Sequence, residues 1–163
     1  MQKKYIGIAA ILIIAAGLAA FFIVEGGAEH PSDNPMEQAI KDRQAKFKKM
    51  GSILKNMDEQ IKSGAPDQKK ISEMAGNLVA LATGIPNWFP VGSGPESGFD
   101  TKAKPEIWSD NDGFLKQYQA FTIEAKKLAD IATSDNMADL TAQYYTTGVA
   151  CANCHKPFRV KRD

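Results

Sequence analysis

"NPMEQAIKDRQAKFKKMGSILKNMDEQI", residues 34–61, decides the architecture. Asn34 stands where an N-cap belongs, Pro35 fills the first helical position and Glu37 the third, which resembles a capping box. Behind them Met36, Ile40, Arg43, Phe47, Met50, Leu54, Met57 and Ile61 recur at alternating spacings of four and three. That is one helical face sustained over several turns. Gly64 and Pro66 end it.

A helix with one apolar stripe cannot bury it alone, and three more helical patterns follow. The second starts near Asp67 and places Ile71, Met74, Ala75, Leu78 and Ala82 on one face before stopping at "TGIP". The third follows "KPEIWSD" and carries Phe114, Tyr118, Phe121, Ala125, Leu128 and Ala132. The fourth starts near Asp135 and runs through Met137, Leu140, Tyr144, Cys151, Cys154, His155 and Phe158. No segment alternates with the period of a strand. The pattern predicts an all-α protein, an antiparallel four-helix bundle, with short turns inside each helix pair. One long crossover loop, residues 84–105, joins the pairs and contains Trp88, Phe89 and Phe99. A loop of that length has a job. Its aromatics either lie over a bound group or cap the end of the bundle.

The N-terminus stands apart. "MQKK" precedes "YIGIAAILIIAAGLAAFFIV", an uncharged run of signal-peptide or membrane-anchor character. Its length suits a bilayer span, whereas Gly26-Gly27-Ala28 offers a signal cleavage site. We therefore divide the chain into 1–28, signal peptide or uncleaved anchor; 29–34, linker; and 35–163, the bundle. Either reading exports the bundle, giving a periplasmic protein that is soluble after cleavage or held at the inner membrane by residues 5–24. Without Lys3 and Lys4 the chain has eighteen Lys and Arg against nineteen Asp and Glu. No basic run is interleaved with aromatics, so nothing suggests nucleic-acid binding.

The only two cysteines lie in "CANCHKPFRVKRD", residues 151–163. C-x-x-C-H is the attachment pattern of a c-type haem, with two thioether bonds and an adjacent histidine on the iron. Structural zinc needs four ligands, and His30 is the only other histidine. A thiol–disulfide exchange pair belongs in a βαβ context that is missing here. On a helix, Cys151, Cys154, His155 and Phe158 share one face. No methionine or histidine follows His155, so a sixth iron ligand would come from upstream.

The first helix is the candidate to face that site. Arg43 interrupts its apolar stripe. A buried guanidinium needs an anion, and a haem propionate is one; the other reading is a long arginine snorkelling to solvent. One turn on, Phe47 cannot ligate iron and would fill the space over an open axial position. Met50, a further turn along, reads as core, with a ligand role as the alternative.

The terminal C-x-x-C-H-x-x-x-R, the four-helix pattern, "AIKDRQAKFKKMGSIL" and "KPEIWSD" resemble cytochrome c prime, the high-spin class II c-type cytochromes. The resemblance runs from about residue 36 to residue 162. It implies one haem c bound through Cys151 and Cys154, with His155 as proximal ligand and Arg159 one turn beyond it on the proximal side. It further implies that Arg43 and Gln44 approach the propionates, that Asp100 and Thr101 contribute there, and that Phe47 takes the distal position. Relatives bind nitric oxide distally first, and in some the gas displaces the histidine. A homodimer is implied as well.

These readings lead to a five-coordinate haem protein that binds nitric oxide or carbon monoxide at an apolar distal site, with possible electron transfer. The alternative is a six-coordinate low-spin electron carrier with a methionine ligand from the first helix. An enzyme is not expected, because the first helix offers no distal histidine as an acid–base partner.

Overall fold

The computed structural model describes residues 34–161. The apolar N-terminal segment, its cleavage site and most of the linker lie outside the described residues. Among the described residues no helix is long and apolar enough to cross a membrane.

Five helices follow in order: α1 Pro35–Lys62, α2 Gln68–Gly84, the single turn α3 Glu106–Ser109, α4 Asn111–Ile131 and α5 Met137–Phe158. Each long helix begins where a short polar side chain can satisfy a free N–H. The Asn34 side chain accepts from Met36 N, Asp67 from Lys70 N, Asp110 from Gly113 N and Asn136 from Asp139 N. The expected starts near residues 34, 67 and 135 therefore hold to within a residue. The third pattern divides at Asp110, whose side chain opens α4 straight after α3.

Contacts at the helix ends set an up-down-up-down order. Arg43, early in α1, donates to the carbonyl of Trp88, just past α2. Gln68, the first residue of α2, donates to the carbonyls of Ala132 and Ser134 beyond α4. Gln143 and Thr147 of α5 both donate to the Glu124 carbonyl of α4. Successive long helices are thus antiparallel neighbours: α1 packs on α2, α2 on α4 and α4 on α5. The remaining pair, α1 and α5, closes the ring only loosely.

Met57, Ile71, Ala75, Leu78, Ala125, Leu128 and Leu140 are fully buried between these helices. A leucine at such a site contributes roughly 1.5–3 kcal/mol by leaving water. Helix α1 divides its apolar residues between two directions. Met50, Ile53 and Met57 enter the core, whereas Phe47 and Leu54 are only half-buried on its flank. Ile53, outside the expected stripe, is buried in the same cluster.

The long connection between α2 and α3 is ordered by two short 3-10 turns, Ile85–Trp88 and Pro95–Ser97. It wraps the end of the bundle that holds the start of α1 and the last turns of α5. Gly92 and Gly98 take positive φ, 87° and 77°, where an L side chain would be strained.

Candidate functional site

The C-x-x-C-H motif occupies the last two turns of α5. Cys151 and Cys154 are half-buried and packed against the core, and Phe158 is buried. Burial pushes the thiol of Cys151 up to about 12 and that of Cys154 up to about 11.

Across the loose α1–α5 edge, the His155 ring faces Phe47, with centroids 6.2 Å apart and planes at 67°. Trp88 meets Phe47 edge to face at 5.2 Å and 84°, and Phe89 lies 6.2 Å from it. The cluster continues from Phe89 to Trp108 and Phe114, and from Phe114 to Phe158. The loop aromatics Trp88 and Phe89 pack over this end of the bundle, beside the Phe47 ring that meets His155. Phe99 is half-buried. Met50 is 6% exposed and belongs to the core.

Farther along the same edge lies a cavity of about 370 Å³, walled by Leu54 and Asp58 of α1 and by Tyr144, Gly148 and Ala152 of α5. A Cβ added at Gly148 would meet open space.

Arg43 is 3% exposed, which excludes the snorkelling alternative. Its Nη1 donates to Ser93 Oγ at 2.9 Å and Trp88 O at 3.3 Å. Nη2 donates to Ser93 O at 3.0 Å and Thr101 Oγ1 at 2.9 Å. The guanidinium also lies 4.5 Å from the Phe89 ring centroid. Gln44 Nε2 donates to Asp100 O at 2.8 Å. Arg43, Gln44, Asp100 and Thr101, named from sequence as one group, therefore meet at one place. The acceptors Ser93 and Trp88 O were missed. A backbone carbonyl carries no sequence signal, and Ser93 sits in a loop with no periodicity to orient it.

Arg159 is placed by backbone contacts. Its N–H donates to His155 O, and the chain around it is stitched to residues 102–104 by Lys104 N to Phe158 O and Val160 N to Lys102 O. That short antiparallel bridge, Ala103 to Arg159, holds the turn after His155.

The family model described as Cytochrome C' matches residues 38–159. The chain belongs to the cytochrome c prime family. It is 33% identical over 128 residues to cytochrome c prime from Alcaligenes xylosoxydans xylosoxydans, spanning 77% of this chain and 96% of the relative. Among solved structures, it resembles the nitric oxide complex of a leucine-to-alanine variant of cytochrome c prime from Alcaligenes xylosoxidans. The TM-score is 0.70 at 30% identity, with 78% of this chain and 97% of that chain covered. A leucine-to-phenylalanine variant of the same protein, in ferrous form, gives a TM-score of 0.69 at 31% identity, covering 77% and 97%.

Cytochrome c prime carries a covalently attached haem c, and the residues present fit that group. Two half-buried thiols and a histidine share one helix side, next to the one loosely closed edge of the ring. Arg43 is a buried cation whose partners are neutral oxygens, and burial alone lowers its pKa to about 10. An anionic propionate would relieve that cost.

Proposed function

We propose that Cys151 and Cys154 hold the haem by thioether bonds, that His155 is the iron's one protein ligand, and that nitric oxide or carbon monoxide binds on the Phe47 side. When bound, haem c supplies an iron able to coordinate a small gas. The observation that carries the reading is Phe47 facing His155 across the α1–α5 edge. Phenylalanine offers neither a ligating atom nor a hydrogen-bond donor. A site of that kind holds dioxygen poorly, because dioxygen depends on distal hydrogen bonds, and still takes nitric oxide or carbon monoxide.

The neighbouring structure solved as a nitric oxide complex supports extending gas binding to this chain. Arg43 and Gln44, with Asp100 and Thr101, form the propionate end. Arg159, held one turn past His155, stands on the proximal side, where it favours displacement of the histidine by gas. The periplasmic location, the homodimer and the absence of an enzymatic step belong to the same proposal. The low-spin alternative calls for a methionine opposite His155, and Met50 is buried in the core instead.

Adding one equivalent of nitric oxide to the reduced holoprotein tests the reading. The absorption bands shift if an axial position is open. Bands that stay in place at several equivalents would remove gas binding from the account.

A further inference from the structure

We propose that Trp88 is the specificity-determining residue of the gas site: it is a fixed stop that holds the Phe47 ring opposite His155, admitting diatomic ligands and excluding those with bulk beyond the second atom. The inference rests on the haem-site reading above and adds to it a residue from the loop.

The backbone carrying Trp88 is pinned at three successive carbonyls. Trp88 O accepts from Arg43 Nη1, Phe89 O from Trp108 Nε1 at 3.1 Å, and Pro90 O from both Ser93 N at 3.1 Å and Ser93 Oγ at 2.8 Å. The donors come from α1, from α3 and from the loop itself, so this segment cannot shift without breaking bonds in all three. The indole it presents is 8% exposed and meets Phe47 edge to face.

The other sides of the indole are occupied too. The Lys46 ammonium lies 5.3 Å from its ring centroid, and a Cβ at Gly84 would approach Nε1 to 3.0 Å. Phe47, by contrast, is only half-buried. Of the three rings that Phe47 meets, the Trp88 indole is the nearest, at 5.2 Å.

The test uses the haem-loaded protein and three variants: Trp88→Ala, Trp88→Phe and, as a control for lost packing, Met57→Ala. Met57 is fully buried and lies outside the aromatic cluster. Affinities of the ferrous protein for carbon monoxide and methyl isocyanide give a size ratio, and NMR of the carbon monoxide complex gives the Phe47 ring-flip rate. Trp88→Ala should improve methyl isocyanide over carbon monoxide by about tenfold, roughly 1.4 kcal/mol, and speed the ring flip. Trp88→Phe should restore most of both, and Met57→Ala should move neither.

An unchanged ratio and ring-flip rate in Trp88→Ala, or equal changes in Met57→Ala, would overturn the proposal. Phe47→Ala separates it from the parent reading. If that variant widens the ratio while Trp88→Ala does not, the stop is wrong and the gas site stands. If neither widens it, Phe47 does not cover the ligand position and both fail.

Discussion

Phe47 of α1 and His155 of α5 face each other with ring centroids 6.2 Å apart, at the one edge of the four-helix ring that is not tightly packed. The gas-site proposal depends on that pairing. In the proposed haem site, Phe47 has no atom that could ligate the iron.

Removing the Phe47 ring should therefore open the site. Phe47→Ala is expected to raise the carbon monoxide association rate of the reduced protein about tenfold, equivalent to lowering the barrier by roughly 1.4 kcal/mol. Flash photolysis measures the rate directly. An unchanged rate would take Phe47 out of the ligand's path.

Arg43 is expected to act on stability as well as on the haem. Arg43→Leu leaves Ser93, Thr101 and the Trp88 carbonyl short of donors in a buried place. Each unmet group costs about 1–3 kcal/mol, so the urea midpoint should fall clearly. Arg43→Lys should not restore it, because one ammonium cannot reproduce the planar two-nitrogen fork that meets four acceptors.

Covalent attachment is tested by mass. The Cys151→Ala, Cys154→Ala double variant should lack the mass of haem on a denatured chain, and each single variant should keep one bond. Haem retained by the double variant under denaturing conditions would refute the assignment of the thioethers.

The α4–α5 pair contains a pH-dependent tie. Hydrogen bonds from Lys127, first, and Gln143 hold the Glu124 carboxyl below its ordinary range. The contribution is fully present above the unfolded carboxylate pKa, near about 4.3, and is lost as pH falls through the lower folded value. Gln143→Leu should thus destabilise the protein at pH 7, and part of that difference should vanish on acidification. Thermal unfolding at pH 7 and pH 3 supplies the comparison.

Much of this was legible in the chain, and the reasons are local. Asn34-Pro35 and Asp67 mark helix starts because capping depends on neighbours in sequence. Cys151, Cys154 and His155 are readable because attachment chemistry fixes their spacing. The role of Arg43 was half legible. An arginine in an apolar stripe signals a buried partner, but its acceptors lie 45 to 58 residues away, and two of them are backbone carbonyls. Trp88 was visible as an aromatic needing cover. Which aromatic it would meet was set by the path of a non-periodic loop, and no periodicity reports that.

The measurement that tests the central claim most directly is the absorption and electron paramagnetic resonance spectrum of the gas-free holoprotein, reduced and oxidised. An iron with His155 as its only protein ligand predicts high-spin spectra in both states, with one broad band in the visible region when reduced. Sharp split visible bands and a low-spin resonance would show a second strong protein ligand opposite His155, and would contradict the account.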